Sequence, residues 1–390
     1  MDRRRVVVIT GASAGVGRAA ARAFGRDGAD VGLIARGNER LLAAREELRG
    51  MGRRAVAISA DVADAEAVER AAEKVEEELG PIDVWVNGAT VTVMSRIAEM
   101  TAEEIRRVTE VTYLGCVHGT LSALRRMIPR RRGVIVQVGS ALAYRAIPLQ
   151  GAYSASKHAM RGFTDSLRCE LMHDRIPIDV TMVQLPGLNT PQFEWSRVRA
   201  RRHPQPVPPI YQPEVAARAI VTASYGGRRE MFVGTQNTVL AWGNKLAPWM
   251  GDRYLAATGF DSQFTDEPIS PGRPDNLFEP APGNQGAHGS FDDRAIPWSA
   301  QLWANEHRGA LLFGGAVMAL WAAFKLARGL RLPESPQAAW RGAPAPGGES
   351  AGDLTTESAG ERTTESAGER TTGSAGERTT AMDESERAES

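Results

Sequence analysis

The sequence predicts an α/β domain with a doubly wound parallel sheet, followed by a C-terminal extension. From residue 5 to about residue 235, short β-branched runs alternate with helix-length amphipathic stretches. The first run ends in a glycine-rich turn, and past Gly259 the composition changes to Pro, Gly, Asp and Asn without periodicity. Alternation at this spacing requires right-handed crossovers, which place helices on both faces of a parallel sheet.

The bulk composition sets limits on partners and compartment. Lys plus Arg equals Asp plus Glu at 47 each in 390 residues, so we expect no nucleic-acid partner. Cys116 and Cys169 lie in apolar helical patterns without metal-ligand spacing, so we expect packing thiols and no metal site. The N-terminal apolar run is too short for a signal-peptide core, which predicts a cytoplasmic domain.

Each predicted strand is a short apolar run. In chain order the strands are predicted at 5–10, 30–35, 55–59, 82–87, 133–138, 178–183 and 231–234. Helices are predicted between them, among others at 16–28, 65–79 and 110–128.

The chain divides into four predicted segments. They are a domain at 1–260, an irregular Pro/Gly-rich extension at 261–300, a hydrophobic helix at 301–332 and a disordered tail at 333–390. The tail repeats the octapeptide TTESAGER at 355–362 and 363–370, with a variant at 371–378. So short and polar a repeat cannot bury a core, which predicts disorder.

The turn after the first strand is a candidate phosphate-binding site. It reads TGASAGVG and places Gly11, Gly15 and Gly17 at the start of the first helix. Glycine permits positive φ and close approach of backbone amides to an anion, and the helix N-terminus adds favourable partial charge. A position between the first strand and the first helix is what a dinucleotide-binding turn requires.

Several motifs in order make the chain resemble the classical short-chain dehydrogenase/reductase family over about residues 5–235. They are TGASAGVG at 10–17, ADV at 60–62, VNGAT at 86–90, Ser140, YSASK at 153–157 and LPGLNT at 185–190. The resemblance implies a Rossmann-type single catalytic domain and hydride transfer between a nicotinamide cofactor and a small carbonyl or alcohol substrate. It also implies a homo-oligomer.

Tyr153 and Lys157 carry the predicted chemistry. Positions i and i+4 share a helix face, so the phenol and the ammonium are expected to be neighbours. A free tyrosine has a pKa of about 10, which an ammonium and an oxidised nicotinamide both lower. We therefore predict Tyr153 as general acid and base, with Lys157 as its tuner. The resemblance assigns Ser140 to the substrate oxygen.

Two departures from the family pattern concern the proton relay. The position of the relay asparagine holds Thr112, a candidate fourth member of the catalytic set. The NNAG motif reads NGAT at 87–90, which keeps the first asparagine and loses the closing glycine. These changes motivate an alternative, a catalytically weak nucleotide-binding sensor or scaffold of the same fold. The intact Ser140, Tyr153 and Lys157 argue against it.

The resemblance assigns the cofactor to residues from several motifs. The predicted set is Gly11, Ser13, Ala14, Gly15, Val16, Gly17, Arg36, Asp61, Val62, Asn87, Tyr153, Lys157, Pro186 and Gly187. The second strand ends in Ala35 and Arg36 without an acid, and a guanidinium suits a ribose 2′-phosphate, with Arg18 as a second contact. NADP(H) is therefore favoured, and NAD(H) is the alternative if Arg36 only stacks on adenine.

The segment 188–213 is the family's variable substrate flap. It holds four arginines beside a proline cluster. An anionic substrate and a solvated surface loop both account for the arginines, and the loop is the commoner outcome for a run of like charge.

The run 309–324 carries no charge and is slightly shorter than the roughly 20 residues that span a bilayer. Tryptophans precede it and lie within it, and Lys325, Arg328 and Arg331 follow it, as interfacial anchors do. We predict membrane contact through this run, shallow or spanning; the alternative is a helix that docks on the domain or on a second copy.

Overall fold

A parallel seven-stranded sheet forms the centre of the fold. The structure, a computed structural model, describes residues 4–329, with side chains described through residue 326. Its strands are β1 Val6–Thr10, β2 Asp30–Ala35, β3 Ala55–Ser59, β4 Val84–Asn87, β5 Val93–Met94, β6 Gly133–Ser140, β7 Ile178–Leu185, β8 Arg197–Val198, β9 Arg202–Pro204, β10 Glu230–Phe232 and β11 Phe264–Pro268. The main sheet has the order β10-β7-β6-β4-β1-β2-β3.

Helices cover both faces of this sheet. They are α1 Gly15–Arg26, α2 Asn38–Gly50, α3 Ala65–Leu79, α4 Ala102–Thr109, α5 Gly115–Arg130, α6 Gly151–His173, α7 Gln192–Trp195, α8 Pro213–Ala223, α9 Thr235–Leu246, α10 Pro248–Thr258, α11 Ala300–Glu306 and α12 Arg308–Gly329. Phe24 and Leu41 of α1 and α2 pack in one core, together with α8, while Val75 and Met127 of α3 and α5 pack in the other, together with α6. A π-helical turn, Glu110–Leu114, joins α4 to α5.

The predicted fold class is confirmed, and every predicted strand overlaps a strand of the main sheet. β6 and β7 are each two residues longer than predicted. Their parallel pairing continues through Ser140 and Leu185, past the end of the apolar run that marked β6 in the sequence. Cys116 is buried as predicted, but Cys169 is exposed, so its predicted packing role is wrong. Cys169 lies on the outer face of α6.

The segment 261–300 packs against the domain. It was predicted to be irregular, yet it contributes β11, which pairs antiparallel with β9. Leu277 and Phe291 from this segment are buried. The described residues up to Lys325 form one compact unit. The four-segment division of the chain stays a prediction.

The predicted hydrophobic helix 301–332 begins as two separate helices. α11 is docked, since Leu302 is only 2% exposed and the Arg218 Nε donates to a Glu306 carboxylate oxygen at 2.7 Å. α12 is exposed over its described side chains, and within residues 4–329 it is the one helix long and apolar enough to cross a membrane, with mean hydropathy 1.7 over 308–326. Arg331 and the tail 333–390 with its repeats lie outside the described residues.

Candidate active site

A cleft of about 690 Å³ contains most of the predicted site. It lies at the carboxyl ends of the strands, where the strand order reverses between β1 and β4, which is where open α/β sheets bind ligands. The predicted residues in its wall are Gly11, Ser13, Ala14, Gly15, Val16, Gly17, Arg36, Asp61, Val62, Ser140, Tyr153, Lys157, Pro186 and Gly187. Three predicted residues, Arg18, Asn87 and Thr112, do not line it.

The glycine turn has the backbone that a bound dinucleotide requires. Gly11 has φ +74°, and a Cβ there would lie 2.8 Å from the Ala89 Cα. A Cβ at Gly17 would lie 2.1 Å from the Gly11 carbonyl oxygen, so neither position accepts a side chain. α1 begins at Gly15 without a side-chain cap, which leaves the positive end of its dipole for an anion. The turn therefore fits a pyrophosphate.

Ser140, Tyr153 and Lys157 meet in one wall of the cleft. Ser140 ends β6, and its Oγ accepts a hydrogen bond from the Leu142 amide at 3.2 Å. Tyr153 and Lys157 lie one turn apart near the start of α6, with the Lys157 Nζ 5.5 Å from the centroid of the phenol ring. Lys157 is buried, and its Nζ donates to the Val138 carbonyl at 2.8 Å. This bond ties the ammonium to β6.

Burial dominates the protonation of this group. It raises the pKa of Tyr153 to about 12, although hydrogen bonds from the Ser140 and Thr90 hydroxyls favour the phenolate. It also lowers the pKa of Lys157 to about 8, because desolvation disfavours the ammonium. Lys157 is not among the groups that lower the pKa of Tyr153, so the predicted lowering by Lys157 is not found. The neutral phenol is the form that donates a proton.

Thr112 supports the site from behind. It lies in the π-helical turn, and its hydroxyl donates to the Val91 carbonyl and accepts from the Val91 amide, at 3.2 and 3.3 Å. The same hydroxyl lies 3.2 Å from the hydroxyl of Thr90, which lines the cleft and contacts Tyr153. Thr112 is therefore a positioning residue for the loop after β4 in this structure, and Thr90 is the group that reaches the phenol.

Asn87 is predicted to bind the cofactor, but it does not line the cleft, and its side chain is held in the interior. Its Nδ2 donates to the Gln137 and Thr120 side chains at 2.9 and 3.0 Å, and its Oδ1 accepts from the Trp85 indole at 2.8 Å. These bonds brace β4 against β6 and α5 in the interior. Successive side chains of a strand point to opposite faces, so the cleft is lined instead by the residues that follow, including Gly88 and Thr90.

The predicted arginines have different surroundings. Arg18 is buried, donates through two nitrogens to Glu47 at 3.0 Å and does not line the cleft, so its predicted phosphate contact is wrong. Arg36 does line the cleft. Arg40, four residues later, lines it as well and stacks over the Trp195 ring at 4.7 Å. Burial lowers the pKa of Arg36 and of Arg40 from the usual arginine value.

Residues 275–289, here called the strap, close the end of the cleft that holds Arg36. Arg36 donates to the carbonyls of Asn276, Leu277 and Phe278 at 2.5, 3.3 and 2.6 Å. Arg40 donates to the Ala281 carbonyl at 2.6 Å. Further along, the Gly286 carbonyl accepts from the Gly15 amide at 3.1 Å, so the strap also reaches the glycine turn.

Asp61 lies beside the strap. Its carboxylate accepts from the Arg107 guanidinium, and Arg107 donates through Nε to the Leu277 carbonyl at 3.1 Å. Asp61 also accepts from the Ala63 amide at 3.0 Å, and Val62 follows it in the cleft wall. The predicted cofactor residue Asp61 and the strap therefore share one hydrogen-bonded network.

The flap arginines do not line the cleft, and three of the four form ion pairs with carboxylates. Arg197 and Arg199 both pair with the buried carboxylate of Glu104, at 3.3 and 2.6 Å, and Arg202 pairs with Asp261. None of the four flap arginines, at 197, 199, 201 and 202, lines the cleft. The flap contributes apolar side chains to the cleft instead, including Phe193 and Val207.

Comparison with known proteins assigns the family. The family described as short chain dehydrogenase matches residues 5–199. A Bacillus subtilis protein named uncharacterized oxidoreductase YxnA is 30% identical over 328 residues, covering 83% of this chain and 91% of that protein. The chain belongs to the short-chain dehydrogenase/reductase family. It is accordingly an oxidoreductase of the NAD(P)-dependent dehydrogenase/reductase type.

Other short-chain dehydrogenases/reductases resemble parts of the chain. A bovine protein named dehydrogenase/reductase SDR family member 7B is 37% identical over 192 residues, 47% of this chain and 58% of its own length. An alcohol dehydrogenase from the archaeon Thermococcus sibiricus, solved with 5-hydroxy-NADP, matches at a TM-score of 0.51 and 27% identity, covering 59% of this chain and 96% of that one. A metagenomic short-chain oxidoreductase in complex with NADP matches at a TM-score of 0.50 and 26% identity.

This chain is longer than the part of it that resembles the archaeal alcohol dehydrogenase. That enzyme is matched over 96% of its length by 59% of this chain, so about two fifths of this chain have no counterpart in it. The alignment with the Bacillus oxidoreductase spans 328 residues and must therefore continue past residue 260. The similarity between this chain and the Bacillus oxidoreductase therefore extends beyond the catalytic domain of the short-chain dehydrogenase/reductase family.

Sequence reasoning missed three parts of this short-chain dehydrogenase site. Thr90 stood out only as a departure from the family motif, although a hydroxyl there is a usable signal. Arg40 carried a signal in its spacing, four residues after Arg36. The strap carried none, because its contacts are made by backbone carbonyls, which every sequence provides.

Proposed function

We propose that this protein is an NADP(H)-dependent oxidoreductase that transfers a hydride between the nicotinamide and a carbonyl or alcohol substrate. In this proposal Tyr153 is the general acid and base, Lys157 tunes it, and Ser140 holds the substrate oxygen. The observation that carries the proposal is the meeting of these three side chains in one wall of a cleft whose other end is the glycine turn.

Each of the three residues has a separate part in the proton chemistry. Ser140 holds the substrate oxygen through its hydroxyl at the end of β6. Tyr153 donates its phenolic proton to that oxygen in reduction and accepts the alcohol proton in oxidation. The nicotinamide, when bound, supplies or accepts the hydride at the substrate carbon. Lys157 would hold the nicotinamide ribose and, together with the oxidised nicotinamide when it is bound, favour the phenolate.

Arg36 and Arg40 support the preference for NADP(H). Both line the end of the cleft beyond Ala35, where no acid stands against a 2′-phosphate. A phosphate is a stronger acceptor for a guanidinium than the neutral carbonyls that hold Arg36. NADP(H) therefore gains a charge-assisted contact that NAD(H) lacks, and NAD(H) is the weaker cofactor in this proposal.

The substrate is proposed to be an apolar carbonyl or alcohol without a charged group. The cleft beyond Ser140 and Tyr153 is lined largely by apolar side chains, among them Leu142, Ile147, Leu188, Phe193, Val207 and Leu240. Three of the four flap arginines are engaged with carboxylates, and Arg201 is exposed away from the cleft. An anionic substrate would have to displace these pairs, so the anionic alternative is set aside.

The proposal extends to location and assembly. The catalytic domain is cytoplasmic, and α12 attaches it to a membrane, because the described part of this helix is apolar and exposed. The enzyme forms a homo-oligomer, as the family implies. Cross-linking and light scattering in detergent measure the assembly, and membrane sedimentation measures the attachment.

Turnover by Tyr153→Phe tests the proposed function. NADPH oxidation is measured over ketones, aldehydes and acyl thioesters for the full-length enzyme and the variant. We expect Tyr153→Phe to keep its NADPH affinity and to lose at least about a hundredfold in turnover, since a positioned acid contributes 10²–10⁴. Near-normal turnover would remove Tyr153 from the mechanism. NADPH binding without turnover on every substrate class would favour the sensor or scaffold alternative.

A further inference from the structure

The surface beside the mouth of the cleft is strongly apolar. Helices α9 and α10, here called the hairpin, comprise residues 235–258. Large hydrophobic side chains on it are exposed by 40% to 82%: Val239, Leu240, Trp242, Leu246, Trp249, Met250 and Tyr254. Single exposed hydrophobic residues are ordinary on a protein surface, but this many on two short helices mark an interaction site.

This apolar surface is continuous with the cleft. Val239, Leu240 and Tyr254 belong to both, since they line the cleft and are exposed. Trp242 and Leu246 follow Val239 at helical spacing, so the apolar stripe runs outward from the mouth along α9. A ligand leaving the cleft at this point meets apolar side chains before it meets water.

The charges of the hairpin fit a lipid headgroup region. The Lys245 Nζ lies 5.0 Å from the Trp242 ring, and the Arg253 guanidinium lies 5.3 Å from the Trp249 ring. The single carboxylate of residues 235–258, on Asp252, is paired with Arg145 at 2.6 Å. Tryptophan beside lysine or arginine on an apolar face is the composition that binds the interface of a bilayer with anionic headgroups.

A second apolar element leaves the domain beside the hairpin. α11 is bonded to α9, since the Gln301 Nε2 donates to the Thr238 Oγ1 at 2.5 Å. α12 begins at Arg308, two residues after α11 ends, and it is long and apolar enough to enter a bilayer. A contact between two copies of the chain would explain the hairpin alone, whereas a bilayer accounts for the hairpin and α12 together.

We propose that the hairpin lies on the surface of a phospholipid bilayer and opens the cleft toward it. The substrate is then a long-chain aldehyde, ketone or alcohol that is dissolved in the bilayer and enters between α9 and α10. The substrate class rests on the proposed oxidoreductase function, whereas the docking of the hairpin does not.

Insertion of the hairpin is measured on the full-length protein with a polarity-sensitive fluorophore. The fluorophore is attached through Gly243→Cys in a Cys169→Ser background, where Cys116 is buried. A Cβ at Gly243 meets open space. The control carries the label through Met172→Cys, because Met172 is 77% exposed and lies on α6. The probe is a vesicle of phosphatidylcholine and phosphatidylglycerol.

We expect a blue shift on vesicle binding at position 243 and none at position 172. Vesicle binding without a shift at position 243 would mean that α12 alone attaches the protein, and it would overturn the proposal. A shift that appears without vesicles and grows with protein concentration would assign the hairpin to a contact between copies, which also overturns it.

Measurements of turnover test the proposed substrate class separately from the docking of the hairpin. Leu246→Glu combined with Trp249→Glu is expected to lower kcat/KM for a long-chain aldehyde in vesicles at least about tenfold, because two charges oppose interfacial binding. Turnover of a short water-soluble aldehyde should stay unchanged, and Met172→Glu should change neither. An unchanged vesicle reaction, or an equal loss on both aldehydes, would overturn the proposal. If the unaltered enzyme turns over no aldehyde, ketone, acyl thioester or alcohol, the proposed function fails while the fluorophore still decides the docking.

Discussion

At the scale of single residues, burial decides the resting protonation of the site. The Tyr153 phenol, with a pKa raised to about 12, stays protonated across the physiological range. The Lys157 ammonium, with a pKa lowered to about 8, is the group whose charge changes near neutral pH. The two shifts have one cause, since desolvation disfavours the charged form of each group. The pair is therefore ready to donate a proton rather than to accept one.

This arrangement predicts the pH dependence of reduction. Below the Lys157 pKa of about 8 the ammonium is present, so kcat/KM for carbonyl reduction should be level. As the pH rises through that value the ammonium is lost, and kcat/KM should fall. Lys157→Arg keeps its charge at these pH values, so its profile should lack the decline whatever its absolute rate. A decline at the same pH in Lys157→Arg would assign the titration to another group.

Thr90 predicts a second effect on pH dependence, in the oxidation direction. Its hydroxyl lowers the Tyr153 pKa against the opposing effect of burial. Thr90→Val removes one charge-assisted hydrogen bond to the phenolate, so the pH profile of alcohol oxidation should move to higher pH. Oxidation at neutral pH should slow by about ten- to a hundredfold. Cofactor affinity is the control measurement, and it should not change. A profile shifted to lower pH would contradict the assigned role.

Sequence reasoning at this scale succeeded where a motif fixes a side chain locally. Ser140, Tyr153 and Lys157 lie in the cleft because a strand end and one helical turn place them there. Asn87 does not line the cleft, because its side chain bonds to Thr120 and Gln137 within the interior network. Thr112 lies in a π-helical turn, which changes the helical register that its motif position assumes.

At the scale of elements, the strap changes what Arg36 does. Its guanidinium joins β2 to three carbonyls of the strap, so it is part of the wall of the cleft before it is a ligand of any phosphate. No local pattern reveals this, since the acceptors lie about 240 residues later in the chain. Under the proposed function, both the selection between cofactors and the closure of the cleft depend on this one side chain.

Arg36→Ala should affect both properties. We expect the Kd for NADPH to rise about ten- to a hundredfold, and the Kd for NADH to rise less, because only NADPH offers a 2′-phosphate. The strap should also become more sensitive to proteolysis between residues 275 and 289. Arg70→Ala, at an exposed arginine of α3, is the matched control. Equal weakening of both cofactors would show that Arg36 acts through the strap and does not select a phosphate.

Glu104 joins α4 to the flap and predicts an acid-sensitive element. Burial raises its pKa, but Arg199 and Arg197 outweigh burial and hold the pKa at about 2, below the ordinary 4.5. A lowered folded-state pKa stabilises the fold above the unfolded value, and this stability is lost as the pH falls from 4.5 through about 2.

Glu104→Gln should therefore flatten the pH dependence of unfolding. The free energy of unfolding should fall by about 2–3 kcal/mol at neutral pH, and the difference from the unaltered protein should shrink as the pH approaches 2. Urea unfolding at several pH values measures both quantities. A constant difference at every pH would show that the loss comes from packing and not from the ionised carboxylate.

At the scale of the whole molecule, the C-terminal region divides into a docked part and an exposed part. Composition showed one hydrophobic segment, and it did not reveal that Leu302 of α11 enters the core while the described part of α12 stays outside it. Burial is a property of tertiary packing, so two apolar runs of similar composition are not distinguished by sequence alone.

This division determines where the chain can be truncated without loss of the folded enzyme. Ending the chain after Pro297 removes α11, and losing the buried Leu302 side chain should by itself cost about 2–5 kcal/mol. Ending it after His307 should leave Tm and soluble turnover unchanged, while salt-resistant membrane attachment falls to the weaker binding that the hairpin provides alone. Thermal unfolding and sedimentation with membranes compare the two chains. A large drop in Tm on truncation after His307 would make α12 a packing element.

The position of the strap in the chain gives biosynthesis an order. A ribosome releases Arg36 about 240 residues before the carbonyls that hold it, so the sheet and the glycine turn are complete while one wall of the cleft is still untranslated. During that interval the cleft of the nascent domain is open at the end that holds Arg36, so a nucleotide can enter from that side. A message that stops just after β10 would yield a recognisable domain of the family with an unclosed nucleotide site, and the strap at 275–289 is what turns that groove into a walled cleft.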